Sequence, residues 1–161
     1  MDVRFINPFI KSISNIFTTM MSSEVDFQKP FVKSAATEKP DVSAVIGFSG
    51  DASGAVVLCF RKATAVKIAS KFACTELAID SPDFADALGE IANMVAGGAK
   101  ADFSGLDVNI SLPSVIVGAG HEVVKSNAHP SLVIPCRSPY GEFTVEVSME
   151  VKKHATVGAT S

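Results

Sequence analysis

The sequence predicts an α+β fold, in which helices pack on an antiparallel sheet formed by two groups of strands that each contain a hairpin. Pairs of short apolar segments with turn residues between them occur at residues 42–60 and again at 131–151. Such pairs are typical of β-hairpins. Segments with apolar residues at helical spacing lie before the first pair and between the two pairs. This order favours helices packed on an antiparallel sheet.

The first element is predicted to be an amphipathic helix over residues 5–22. Asn7 is the candidate N-cap, and Pro8 suits the first turn. Large apolar residues then recur at helical spacing: Phe5, Phe9, Ile13, Ile16, Phe17 and Met20. This spacing predicts one buried face.

Strands are predicted next, followed by a second helix. Residues 30–39 are short and mixed and predict a strand. Residues 42–49 and 54–60 predict two more strands, and the Gly-Asp-Ala-Ser segment at 50–53 favours a turn between them. The sequence therefore predicts a β-hairpin here. Residues 62–73 predict the second helix.

The second half of the chain contains the longest predicted helix, residues 82–103. Residues 108–118 predict a strand that is broken near Pro113, because proline cannot donate a hydrogen bond to the ladder. Residues 131–137 and 142–151 predict a second hairpin around a Pro-Tyr-Gly turn.

Length and composition predict one domain, residues 1–152, followed by a disordered tail of small and polar residues at 153–161. The chain has 161 residues, 47% of them hydrophobic, which is enough for one core. Its net charge is −3 and it has no cluster of Lys or Arg, which argues against nucleic-acid binding. We see no signal peptide and no run of ~20 apolar residues, so we expect a cytoplasmic protein without a membrane span.

The three cysteines are expected to be buried free thiols. Each lies among apolar or small residues, and no two have the spacing of metal ligands: Cys59, Cys74 and Cys136. The sequence therefore predicts no metal site in this chain.

Helix 82–103 presents two different faces. Ser81 is its predicted N-cap and Pro82 its first residue. Apolar residues on one face are expected in the core: Phe84, Leu88, Ile91, Val95 and Ala99. Polar and small residues follow a second line, here called the polar stripe: Asp86, Glu90, Asn93 and Gly97. At about 100° per residue the polar stripe lies opposite the apolar face, so Glu90 and Asn93 are expected to project together into solvent.

A glutamate and an asparagine at this spacing suit one kind of chemistry. An amide both donates and accepts hydrogen bonds, so Asn93 can hold a water in line with an electrophile. The Glu90 carboxylate can pair with a partner's lysine and fix the docking geometry. Neither is a nucleophile, which suits hydrolysis of an activated acyl phosphate, where positioning supplies most of the rate. Taken alone, the same spacing also describes an ordinary solvated helix face.

Three glycines in this helix, Gly89, Gly97 and Gly98, each cost about 1 kcal/mol relative to alanine. Either tight packing within the protein or close approach of a partner's backbone explains them. Lys100 lies next to the polar stripe, where it either steers an acidic partner surface or is an ordinary exposed helix lysine.

The segment from Asp86 to Lys100 resembles the signature helix of the CheC/CheX family of chemotaxis phosphatases. In that signature an Asp or Ser precedes the Glu and the Asn, and a Pro follows well downstream, roughly where Pro113 stands. The glycine-marked hairpin at residues 47–58 and the opening of the chain are also similar to the family. The resemblance covers most of residues 3–152.

Members of this family have one or two active helices. In this chain the N-terminal helix has Ser12 and Asn15 where a second Glu and Asn would stand, and the Glu is missing. The sequence therefore resembles the CheX type, with one active helix.

The resemblance implies a phosphatase that acts on the aspartyl phosphate of a CheY-like response regulator. Asn93 would orient the attacking water, and Glu90 would engage the lysine of the receiver domain. The residues implied in partner binding are Asp86, Gly97 and Lys100. No cofactor is expected in this chain, because the Mg²⁺ would belong to the receiver. The resemblance also implies a homodimer built through the sheets.

Two other functions stay open at this point. A non-catalytic binding module of the same fold would dock a response regulator or a motor-switch-like partner without hydrolysing anything, because a fold alone does not determine activity. The third hypothesis is an unrelated α+β domain with a structural role. The presence of both Glu90 and Asn93 on the polar stripe favours catalysis.

Overall fold

The computed structural model describes residues 3–123 and 130–152. Within them, a short 3₁₀ turn at Val3–Phe5 leads into the first of three α-helices: α1 (Ile6–Met21), α2 (Lys62–Ala73) and α3 (Pro82–Ala101). Eight strands complete the described part of the chain: β1 (Asp26–Phe27), β2 (Phe31–Val32), β3 (Val42–Gly50), β4 (Ala52–Phe60), β5 (Val108–Ile110), β6 (Ser114–Val117), β7 (Leu132–Ser138) and β8 (Gly141–Val151).

The strands form a single antiparallel sheet in the order β1-β7-β8-β4-β3-β5, with β2 also paired to β7 and β6 also paired to β3. The two predicted hairpins are β3–β4 and β7–β8. They meet in the middle of the sheet, where β4 pairs with β8 over the whole length of β4. The predicted α+β fold with an antiparallel sheet is thereby confirmed, including the break of the β5–β6 strand near Pro113.

The three helices cover one face of the sheet and form one hydrophobic core with it. Alternate residues of β3, such as Val42 and Ile46, point into this core and are fully buried. Helices α1 and α3 run antiparallel, since Phe5 packs edge-on against Phe103 with ring centroids 4.9 Å apart while Ser12 contacts Val95. The core therefore fixes α3 between the sheet and α1.

Helix α1 starts differently from the prediction. Phe5 occupies the N-cap position without a side-chain hydrogen bond, and Asn7 already lies inside the first turn. An N-cap residue normally has an extended backbone. Here the 3₁₀ turn at Val3–Phe5 leads directly into the helix, so Asn7 already lies within the helix and not at its cap. The prediction that Asn7 caps the helix was therefore wrong. Pro8 lies in the first turn as expected, where its missing N–H has no intrahelical partner to lose.

The segment predicted as a strand at residues 30–39 is a strand only at Phe31–Val32. The Lys33 N–H still donates to the Ser131 carbonyl at 2.9 Å, and beyond it the chain leaves the sheet edge and a turn closes between Ser34 and Thr37. The Lys33 ammonium reaches across the outer face of the sheet to the Glu146 carboxylate, at 3.0 Å. This ion pair holds the segment over the sheet face opposite the helices.

The cysteine prediction was correct for two of the three residues. Cys59 and Cys136 are buried, whereas Cys74 is exposed at the left-handed C-cap of α2, with φ 58°. The apolar residues before Cys74 belong to the helix, which ends there and leaves the thiol in solvent. Burial raises the pKa of the Cys59 and Cys136 thiols to about 12, and the charge of Glu146 adds to the effect at Cys59.

The predicted tail, residues 153–161, lies outside the described residues, so the predicted domain boundary at residue 152 stays a prediction.

Candidate functional site on helix α3

Helix α3 begins where the sequence predicts. The Ser81 hydroxyl accepts a hydrogen bond from the Asp83 N–H at 3.2 Å, and Pro82 is the first helical residue. Asp83 places a negative charge in the first turn, where the helix dipole favours it. These features set the register of the helix and so the direction in which each later side chain points.

The apolar face of α3 is buried as predicted, and every member of that stripe belongs to the core: Phe84, Leu88, Ile91, Val95 and Ala99. On the opposite side Asp86, Glu90 and Asn93 are exposed, and Gly97 is half-buried. Lys100 is also exposed, in the last turn of the helix. The structure thus places all five predicted site residues along one outward side of α3, while their chemical roles stay predictions.

Glu90 and Asn93 lie one turn apart, where side chains on a helix are neighbours. Within the described part of the chain, neither side chain makes a hydrogen bond or an ion pair. Both groups therefore keep their full hydrogen-bonding capacity for a molecule that arrives from outside. Lys100 is seven residues beyond Asn93, about 10 Å further along the axis, so it lies at the end of this surface rather than beside the pair.

Helix α1 forms one border of the site. The Ser12 hydroxyl donates a hydrogen bond to the Val95 carbonyl at 2.8 Å, and a Cβ at Gly98 would overlap that hydroxyl. Asn15, one turn later on α1, is exposed and lines a groove between the two helices together with Gly97. Ser12 is therefore a packing residue, and α1 presents no acid that would make a second Glu-and-Asn pair.

The loop between β5 and β6 forms the other border. A Cβ at Gly89 would lie 3.3 Å from the ring of Pro113, so the proline packs closely against the backbone of α3. By contrast, a Cβ at Gly97 would meet nothing within 4 Å. Packing within the protein thus accounts for Gly89 and Gly98, whereas Gly97 leaves open space beside Asn93.

One exposed residue near the site was missed by the sequence analysis. Leu112, directly before Pro113, has 88% of its surface exposed. The sequence signal for its exposure was weak. It was a large apolar residue between Ser111 and Pro113, at the predicted break of the strand, where the side chain need not point into the core.

Within residues 3–123 and 130–152, no group of three or more His, Cys, Asp or Glu side chains is placed so that it could hold a metal ion. The location of Mg²⁺ in a partner stays a prediction. No helix of the same residues is long and apolar enough to cross a membrane.

A comparison with family models gives a match to the model described as "Chemotaxis phosphatase CheX" over residues 42–137, well over half of the chain. The chain belongs to the CheX family. The matched residues include the β3–β4 hairpin, all of α3, β5, β6 and β7 up to its last residue but one. The family resemblance inferred from the sequence is thereby confirmed.

Solved CheX structures share the whole fold. The chain is 33% identical to a chemotaxis protein CheX from Desulfovibrio desulfuricans, with a TM-score of 0.83, and covers 99% of that protein with 91% of its own length. It is 32% identical to the CheX of Vibrio vulnificus, with the same TM-score and the same coverage. The CheX of Borrelia burgdorferi, solved as a complex with CheY, BeF₃ and Mg²⁺, is 24% identical with a TM-score of 0.74; the chain covers 99% of it with 92% of its own length. No curated protein matches the sequence.

Proposed function

We propose that this chain is a phosphatase that accelerates hydrolysis of the aspartyl phosphate on a CheY-like receiver domain. The observation that carries the proposal is the joint exposure of Glu90 and Asn93, one turn apart on α3 and without an internal partner. Membership of the CheX family supports it, because that family is described as a chemotaxis phosphatase. The complex of the Borrelia burgdorferi protein with CheY supports a receiver as the partner.

In the proposed reaction, Asn93 enters the receiver's active site and orients one water molecule. The amide oxygen accepts a hydrogen bond from the water, while the amide N–H₂ is free to donate to a phosphoryl oxygen. The water oxygen forms a bond to phosphorus, and the bond between phosphorus and the aspartate oxygen breaks. The electron pair leaves with the aspartate carboxylate, and the water's proton passes to the released phosphate.

Glu90 has a different role in this proposal. Its carboxylate pairs with the lysine of the receiver and so fixes the position of α3 over the phosphoryl group. The Mg²⁺ that neutralises the phosphoryl oxygens is supplied by the receiver. Because an acyl phosphate is already activated, a positioned water is sufficient, and no nucleophile is needed from this chain.

The remaining predicted site residues serve docking. Asp86 and Lys100 lie at the two ends of the exposed side of α3, so they contact the receiver beyond the reacting group. Gly97 leaves the space into which the receiver's backbone fits. A homodimer built through the sheets and a cytoplasmic location belong to the same proposal.

The decisive experiment follows the loss of phosphate from a phosphorylated CheY receiver in the presence of wild type, Asn93→Ala or Asn109→Ala. Asn109 is an exposed asparagine on β5 and serves as the matched control. We expect wild type and Asn109→Ala to accelerate the loss equally, and Asn93→Ala to be slower by about 100-fold, because the water is no longer positioned.

Equal rates for wild type and Asn93→Ala would contradict the catalytic proposal. If wild type also bound the receiver without accelerating hydrolysis, the non-catalytic docking module would become the better description of this chain.

A further inference from the structure

Leu112 is the most exposed large apolar side chain in the described part of the protein. It has 88% of its surface in solvent, against 57% for Val32 and 50% for Val117. Single exposed apolar residues are common, so exposure alone carries no function. The position and the rigidity of Leu112 distinguish it from the others.

The backbone around Leu112 is held by a set of hydrogen bonds. The Ser111 N–H donates to the Gly47 carbonyl at 2.9 Å, and the Gly47 N–H donates to the Ser111 hydroxyl oxygen at 2.8 Å. The Ser111 hydroxyl in turn donates to the Leu112 carbonyl at 3.0 Å. On the other side Pro113 packs on Gly89. The loop therefore presents Leu112 from a backbone that is fixed at both ends.

This loop lies directly beside the candidate site. Gly89, which touches Pro113, immediately precedes Glu90 and lies one turn before Asn93. By helical geometry Gly89 and Asn93 are about 40° apart around the axis, on the same side of α3. Leu112 thus stands next to the side chains that are proposed to enter the receiver.

We propose that Leu112 is a docking residue for the phosphorylated receiver and inserts into an apolar depression on its surface beside the phosphorylated aspartate. This inference rests on the proposed function and adds an apolar anchor to the two polar groups. Because the backbone of the loop is already fixed, little backbone freedom is lost when the Leu112 side chain is covered, and burial of its apolar surface adds to the affinity of the interface.

A second copy of this chain is the competing occupant of the surface. Ile116 and Val117 are the exposed apolar residues of β6, whose backbone lies at the sheet edge, and they are suited to a sheet-edge contact between copies. Leu112 precedes β6, outside the paired residues of the strand, and its neighbour Pro113 packs against α3. Its position therefore favours the receiver as its partner.

The test measures binding of a CheY receiver loaded with beryllofluoride and Mg²⁺, together with KM and kcat for the phosphorylated receiver. Leu112→Ser is expected to weaken binding and raise KM by about tenfold or more, because one buried leucine side chain is lost, with kcat changed by less than about threefold. Leu112→Met should retain most of the affinity. Val32→Ser, on β2 at the other end of the sheet, is the control and should behave as wild type.

The outcomes separate this inference from the proposed function. Unchanged binding and KM in Leu112→Ser would overturn the docking role while leaving the phosphatase intact, and so would a loss of affinity that is accompanied by dissociation of a dimer. A wild type that binds the receiver without hydrolysing it would overturn only the catalytic proposal, since Leu112→Ser is then judged by its binding. A wild type that binds no activated receiver would overturn both.

Discussion

Two glutamates of this chain lie in opposite surroundings. Glu146 is 3% exposed, and its carboxylate forms an ion pair with the Lys33 ammonium at 3.0 Å. It also contacts the Cys59 thiol. Glu90 is exposed and has no hydrogen-bond or ion-pair partner in the described part of the chain. A buried carboxylate needs its partner within the fold, whereas an exposed one on a rigid helix is available to another molecule. The same residue type is thus paired within the fold at one position and exposed to solvent at the other.

The charge of Glu90 can be tested separately from its shape. Glu90→Gln is expected to raise KM for a phosphorylated CheY receiver by about tenfold, because the proposed ion pair with the receiver's lysine cannot form, and to change kcat much less. The difference from wild type should shrink at high salt, which screens the charge interaction. The measurement is the rate of phosphate release over a range of receiver concentrations.

Glu76→Gln is the matched control, since Glu76 is exposed in the loop after α2, and it should leave KM unchanged. A Glu90→Gln variant with normal KM and reduced kcat would show that the docking role is wrong.

The cysteines give a prediction about reactivity. At mildly alkaline pH, Cys59 and Cys136 remain protonated, because burial has raised the pKa of each thiol to about 12 and only the thiolate reacts. The exposed Cys74 is accessible. We therefore expect the folded chain to take up one equivalent of iodoacetamide, located at Cys74 by peptide mass spectrometry.

A Cys74→Ser variant should take up none until it is denatured. Rapid labelling of Cys59 or Cys136 in the folded protein would contradict the prediction.

Helix α3 combines a core face and an outward face in one element, and its neighbours fix both. Ser12 of α1 bonds to the Val95 carbonyl on one flank, and Pro113 packs on Gly89 on the other. The directions of Glu90 and Asn93 therefore depend on how closely α1 and the β5–β6 loop approach the helix backbone.

Adjacent glycines of α3 should respond oppositely to alanine. Gly98→Ala is expected to lower the free energy of unfolding by about 1–3 kcal/mol, because the new methyl group overlaps Ser12 and displaces its hydroxyl from the Val95 carbonyl. Gly97→Ala is expected to raise it by about 0.5–1 kcal/mol, because the space is open and alanine is the better helix former. Urea denaturation followed by circular dichroism measures both.

A Ser12→Ala background provides the control, since removing the hydroxyl should reduce the cost of Gly98→Ala. Equal effects of the two alanine substitutions would mean that the α1–α3 contact is looser than described.

The elements that the sequence predicted well are those whose signal is local or periodic. The caps and the apolar spacing of α3 were sufficient to orient Glu90 and Asn93 correctly. The cap of α1 was predicted wrongly, because the turn before the helix depends on the burial of Phe5 against Phe103, far along the chain. The predicted strand at residues 30–39 was too long for a similar reason, since the segment after Lys33 turns over the outer face of the sheet, where the Lys33 side chain pairs with Glu146.

The borders of the site could not be predicted from the sequence. Gly89, Gly97 and Gly98 look alike in the sequence, yet Pro113 packs against the first, open space lies beside the second and Ser12 packs against the third. Which glycine faces which neighbour depends on the packing of α1 and of the β5–β6 loop on α3. The exposure of Leu112 follows from the same packing.

The sheet has a core face under the helices and an outer face that is also partly buried. Residues such as Val57 and Val133 on the outer face are fully buried, although they do not belong to the main core. Lys33 and Glu146 lie on this face, with 22% and 4% of their side chains exposed. The segment after β2 is thereby fastened to the centre of the sheet.

Removal of one partner of this ion pair should therefore destabilise the whole domain. Lys33→Ala is expected to lower the free energy of unfolding by about 3 kcal/mol, since it leaves a buried carboxylate without its partner. Arg137→Ala breaks the exposed pair with Glu142 and should cost less than about 1 kcal/mol. Denaturant unfolding of the two variants gives the comparison.

A Lys33→Ala, Glu146→Leu double variant should recover part of the loss, because no buried charge remains. Similar small effects for Lys33→Ala and Arg137→Ala would show that water reaches Glu146 freely.

The support of α3 on both flanks has a consequence for signalling. A helix that is already held in place needs no closing lid to bring Glu90 and Asn93 to one side, so we expect the proposed reaction to begin as soon as the two proteins have bound. We therefore expect the amount of each protein in the cell to influence how long the receiver stays phosphorylated, without any change in the chemistry.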